Sequence, residues 1–221
     1  MSIFFYPLSV MKGNLIIISS PSGGGKGTLI REVLESVPNL GYSVSHTTRA
    51  PRFGEEHGHH YHFVTKQEFE DEIKAGEFLE YAEVHGNMYG TSLSSVERIT
   101  SDGNDVILEI DVQGAMAVMR KVAAAVSIFI LPPSYELLRA RLESRGTETP
   151  EDLQLRLKNA VGEVMHYSWF KYVIVNDEIF SAARKLASVI LGERQRRDRQ
   201  NETICGILDS FGIQNPDSTG E

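Results

Sequence analysis

The sequence predicts an α/β fold: a parallel sheet flanked by helices, carrying an inserted α+β subdomain and a helical lid. Three observations carry this. Short β-branched runs alternate with amphipathic helical segments, a glycine-rich turn joins the first run directly to the first helix, and the texture changes between residues 42 and 91. The 221 residues, 41% hydrophobic and 24% charged, suffice for one domain with an insertion and argue against two fused enzymes.

In order, residues 15–19 read as a buried strand and residues 28–37 as the helix after the turn. Residues 61–64 and 78–84 read as exposed, mixed-composition strands around a helix at 65–75, for which Thr65 and Glu68 form a capping box. Residues 106–110, 127–131 and 172–175 read as further short strands, with helices expected at 114–124 and 181–199. The segment 134–144 reads as a helix broken at Arg145–Gly146, and Thr149 with Pro150 starts another. The expected organisation is a leader at 1–12 without structure, a core from 13–41, 92–133 and 167–200, a subdomain at 42–91, a lid at 134–166 and a tail at 201–221. Residues 215–221 of that tail are expected to be disordered.

The net charge of −8 repels polyanions globally, so an anionic ligand needs a local basic pocket. One cysteine, Cys205, supports neither an internal disulfide nor a cysteine-rich zinc site, which fits a reducing compartment, the cytoplasm by default. The apolar stretches fall short of the ~20 residues that span a bilayer. The opening apolar residues lack the basic flank of a secretory signal. No nucleic-acid or membrane partner is expected. The acids interleaved in the basic run 193–199 suit a solvated helix better than RNA binding, and the histidines 57, 59, 60 and 62 lack carboxylate or thiolate partners for zinc.

The turn SPSGGGKGT, residues 20–28, lies between strand and helix, the context of a phosphate cradle. Gly23, Gly24 and Gly25 let backbone N–H groups converge on an anion, with Ser22 beside them, and Lys26 reaches the β- and γ-phosphates. Two positions depart from GxxxxGK[ST]. Ser20 replaces the first glycine, and Gly27 stands where a magnesium-binding hydroxyl normally sits. Thr28, one residue on and about 100° around the helix, is expected at the α-phosphate instead.

Downstream, the motifs SxSxTTRxPRxGE, EYAxVxGNxYGTS, IDxQG, RLxxRGTE and IVND follow in order. The chain thereby resembles the guanylate kinases, P-loop enzymes that phosphorylate GMP with ATP, from about residue 13 to 199. The resemblance implies a P-loop NTPase-type sheet, 42–91 as the GMP-binding subdomain, and Mg²⁺ with ATP. It implies that Ser45, Glu80 and Asp111 hold guanine, with Thr91 nearby, and that Arg49, Arg52, Tyr61 and Tyr89 hold the GMP phosphate. Arg141, Arg145 and Arg156 resemble lid arginines, and Asn176 resembles an adenine or ribose contact. Glu109 stands in place of the family's usual aspartate near the GMP phosphate and the metal, and its extra methylene is expected to reach Mg²⁺.

Chemistry supports the guanine assignment. Guanine's pairing edge offers N1–H and the 2-amino group as donors, which one carboxylate can accept together, whereas adenine presents a lone pair at N1. The rival class is the scaffolding domain of the same fold, in which nucleotide chemistry is lost; Lys26 and the lid arginines speak against it. AMP or dTMP as acceptor is opposed by Glu80, Ser45 and Asp111, and a GTPase by the lack of an NKxD-type segment. The oligomeric state stays open, a homodimer among the options.

Overall fold

The structure, a computed structural model, describes residues 12–84, 86–144 and 150–213. The expected leader (Lys12 apart), Arg145 and the last eight residues of the expected tail lie outside them.

Strand β1 (Leu15–Ser19) is buried throughout, and the glycine turn passes from it into helix α1 (Lys26–Ser36). β2 (Leu40–Tyr42) and β3 (His46–Thr47) follow, then β4 (His62–Phe63) and α2 (Lys66–Ala75), whose capping box from Thr65 and Glu68 forms as expected. β5 (Phe78–Val84) and β6 (Asn87–Ser92) make an antiparallel pair leading into α3 (Leu93–Ser101). Then come β7 (Asp105–Glu109), α4 (Val112–Lys121), β8 (Val126–Leu131), α5 (Tyr135–Glu143) and α6 (Pro150–Val164). A 3-10 turn leads to β9 (Tyr172–Val175), α7 (Ile179–Arg194) and α8 (Asn201–Ser210).

Two separate sheets result. The main one runs β2-β7-β1-β8-β9, parallel throughout, and the second runs β4-β3-β6-β5. One face of the main sheet packs on α1 and α7 through Ile16, Ile18, Leu29 and Leu186; the other packs on α4 through Ile17, Leu108, Val118 and Phe129. Apolar cover on both faces is why the central strands β1, β7 and β8 are rich in Ile, Val and Leu.

Several expectations change: strand 78–84, expected to be exposed, begins with three buried residues, and α1 starts at Lys26, inside the turn. The long helix at 181–199 ends at Arg194, where a short 3-10 turn intervenes, because Arg194 is drawn aside to cap the sheet: its Nε donates to the buried Asp105 Oδ2 (2.7 Å), and its Nη2 to the carbonyls of Pro38 (2.9 Å) and Asn39 (3.0 Å). Residues 201–210, assigned to the tail, form the exposed helix α8, with no buried residue to betray it in the sequence. The helix expected at 114–124 starts two residues earlier, since Asp111 caps it by accepting the Gly114 N–H (2.8 Å).

Candidate active site

The glycine turn is built as an anion cradle. Gly23 and Gly25 take φ of 83° and 84°, and a Cβ at Gly25 would stand 2.4 Å from Asn176 Nδ2, so this position admits only glycine. Asn176 is itself buried beneath the loop; its Nδ2 donates to the Gly24 carbonyl (2.9 Å), and its own carbonyl accepts from Arg141 Nη2 (3.0 Å). Arg141 and Asn176 thus brace the loop from below. Thr28 is exposed in the first turn of α1.

Lys26 Nζ donates to the Ile110 carbonyl (3.4 Å) and lies 3.9 Å from Glu109 Oε1, at the end of β7. Tyr42 donates its phenol to Glu109 Oε2 (3.2 Å); burial, then the charge of Glu109, holds that phenol well above its ordinary range. A Cβ built at Gly27 would sit 3.6 and 3.9 Å from the two Glu109 oxygens. The Glu109 carboxylate therefore faces the position a hydroxyl-bearing residue at 27 would fill. A carboxylate oxygen at the lip of the glycine turn is a ligand of the hard type Mg²⁺ takes, and among the described residues no three of His, Cys, Asp and Glu gather as a cage of their own.

Across the cleft, Glu80 on β5 is 4% exposed and accepts the Thr91 hydroxyl at 2.6 Å, the two residues being cross-strand partners. Burial first, with Asp111 adding to it against the opposing Thr91 bond, lifts the Glu80 carboxyl from 4.5 to about 7. Ser45, also buried, and Asp111 line the same end. In the same cleft, Arg49 lies 5.4 Å from the centre of the Tyr61 ring, and Tyr61 meets Tyr89 edge-on at 5.9 Å. Burial, then Glu109 and Tyr89, pushes the Tyr61 phenol up to about 12. Glu55 holds this group together: it pairs with Arg49 Nη2 at 2.9 Å and accepts the Arg52 N–H at 2.7 Å.

The P-loop, Ser45, Arg49, Arg52, Tyr61, Glu80, Tyr89, Glu109, Asp111 and Arg156 line one cleft of about 310 Å³. Of the residues singled out in the sequence, Thr28, Thr91, Arg141 and Asn176 stand outside its lining, and Arg145 lies outside the described residues. Three contributors were not singled out in the sequence: Tyr42, Glu55 and Glu163. Glu163 on α6, two helical turns beyond Arg156, accepts the Ser22 N–H at 2.9 Å and so ties α6 to the glycine turn. Glu55 sits inside a quoted motif and was recoverable from it; Tyr42 and Glu163 were not.

The family profile described as Guanylate kinase matches residues 12–193. The chain is 49% identical over 193 residues to a guanylate kinase of Clostridium perfringens, covering 87% of this chain and 89% of the relative. It is 50% identical over 202 residues to one of Clostridium tetani, covering 91% and 96%. The crystal structure of guanylate kinase from Anaplasma phagocytophilum superposes with a TM-score of 0.76 at 35% identity, over 93% of this chain and 98% of that one. With the profile spanning most of its length and relatives near half identity, the chain belongs to the guanylate kinase family.

Proposed function

We propose that this chain transfers the γ-phosphoryl group of ATP to GMP, and to dGMP, giving ADP and GDP (or dGDP) by direct in-line displacement. The observation that carries the reading is a single cleft with a phosphate cradle and Lys26 at one end and the buried Glu80 carboxylate at the other. A GMP phosphate oxygen attacks the γ-phosphorus, and the bond from that phosphorus to the β–γ bridging oxygen breaks.

The P-loop amides and Lys26 orient the donor triphosphate and spread positive charge where negative charge grows. Arg49, Arg52, Tyr61 and Tyr89 hold the acceptor phosphate, the planar arginine forks suiting bidentate contact. Glu80 accepts N1–H and the 2-amino group, Ser45 donates to O6, and Asp111 supports the 2-amino contact. Arg145 and Arg156 close over the γ-phosphate, while Asn176 and Arg141 keep the loop in shape for ATP and Thr28 meets the α-phosphate. Glu109 is the residue that would hold Mg²⁺. The ion, when bound, neutralises phosphate charge and helps align the transferring group.

In this reading residues 13–41, 92–133 and 167–200 make the core, 42–91 the GMP subdomain and 134–166 the lid, and closure excludes water that would otherwise receive the phosphoryl group. Among the described residues no helix is long and apolar enough to cross a membrane, and a cytoplasmic enzyme acting without nucleic acid or lipid suits this chemistry. Separation of products after incubation with ATP and each of GMP, dGMP, AMP and dTMP tests the proposal: GDP and dGDP are expected, and diphosphates from AMP or dTMP at equal yield would overturn it.

A further inference from the structure

Gly114, rather than any cleft-lining side chain, sets where the Glu80 carboxylate can sit. A Cβ built at Gly114 would stand 2.7 Å from Glu80 Oε2, 3.2 Å from its Cδ and 3.3 Å from Asp111 Oδ1. Gly114 lies in the first turn of α4, where φ is ordinary and helix propensity alone would favour alanine. Its backbone N–H is committed to the Asp111 cap at 2.8 Å, so the helix end cannot retreat without losing that cap. At its other end α4 is fixed as well, through Lys121 Nζ donating to the Leu79 carbonyl at 2.6 Å, next to Glu80 on β5.

Glu80 is therefore held from two sides: one oxygen by the Thr91 hydroxyl, the other against the bare Cα of Gly114. We infer that Gly114 is a specificity-determining positioning residue, whose missing side chain lets the carboxylate take the depth at which it accepts both guanine donors. This rests on the guanine-pocket reading above. A methyl group at 114 displaces Oε2, and a carboxylate so displaced keeps one of its two bonds to the base and loses the other. The same contact joins the two halves of the molecule, because Gly114 is on a helix of the main sheet and Glu80 on a strand of the second.

The test is Gly114→Ala with GMP and with IMP, which lacks only the 2-amino group. KM for GMP is expected to rise about 10- to 100-fold, the worth of one hydrogen bond to a charged group. KM for ATP should stay within about twofold and kcat at saturating GMP should fall far less than KM rises, because the P-loop is untouched. The preference for GMP over IMP should collapse by a similar factor, a change that general loss of structure does not produce. Unchanged GMP affinity, or an unchanged GMP-to-IMP ratio, overturns the inference while leaving the enzyme's activity standing. Failure of the unaltered protein to phosphorylate GMP would sink the underlying reading instead. A second comparison covers the case in which Gly114→Ala does not fold: Glu80→Asp shortens the acid and makes room for the methyl group, so adding Gly114→Ala to Glu80→Asp should change KM for GMP by less than about twofold. A further tenfold loss there contradicts the proposed contact.

Discussion

Glu80 is stored in the free enzyme at a cost, and replacing it by glutamine should make the protein more stable while disabling it. Folded Glu80 keeps its proton up to about pH 7, against 4.5 for the exposed side chain, with burial the main cause. Across that window the native state binds more protons than the unfolded chain, so stability falls as pH rises through it. The gap corresponds to roughly 3 kcal/mol at pH 8 and under about 1 kcal/mol at pH 5. Glutamine can still accept the Thr91 hydroxyl, and its amide faces Asp111 instead of a second carboxylate. At about 2–4 °C per kcal/mol for a chain of this size, Glu80→Gln should raise Tm by about 6–12 °C at pH 8 and by much less at pH 5. Calorimetric melting of both proteins at the two pH values checks it. A lower Tm at pH 8, or the same gain at both, would refute the burial argument. If Glu80 accepts the guanine donors as proposed, the same proton must leave before the base binds, so KM for GMP should rise about tenfold between pH 8 and pH 6.

Other outcomes follow from the same geometry. Gly27→Ser places a hydroxyl beside Glu109 and should lower the Mg²⁺ concentration needed for half-maximal rate; an unchanged titration argues against Glu109 as the ion's holder. Arg156→Ala should reduce kcat by about a hundredfold or more with KM for GMP nearly unaltered, and parallel loss of both would remove Arg156 from the transferring phosphate. Arg194→Ala takes the cation from the buried Asp105 and a donor from the Pro38 and Asn39 carbonyls just before β2, and should cost about 3–5 kcal/mol in chemical denaturation without changing KM for either nucleotide. His46 is held neutral, lowered to about 4 first by burial and then by His62 and His57, so its unfolded form takes a proton first as pH falls below 6.5; His46→Gln should lessen acid lability between pH 6.5 and 4.

Much of the main sheet was legible because burial on both faces leaves a plain mark: Leu15–Ser19 appears in the sequence as the run it forms. The edge strand Tyr172–Val175 was legible from its β-branched run even though Val173 and Val175 are exposed. The capping box at Thr65 and the glycine turn were equally local signals. β2 was not legible, being three half-buried residues with Gly41 in the middle, nor was β3 at two residues; both exist because neighbouring strands supply their hydrogen bonds. The site divides the same way. Glu80 and Asp111 stand out by motif, whereas the lift of the Glu80 carboxyl, the Glu163 link to Ser22 and the Gly114 contact depend on packing between segments 31 to 141 residues apart. Asn176 shows the limit most clearly: its motif says that it matters, and only the fold reveals that its amide supports the Gly24 carbonyl.

The most direct measurement is the ratio of kcat/KM for GMP to that for AMP at fixed saturating MgATP. If the Glu80 carboxylate behind Thr91 selects the base, the ratio should be about 10⁴ or greater and should fall steeply in Glu80→Gln. A ratio near one, or a large ratio that survives Glu80→Gln, would contradict the account.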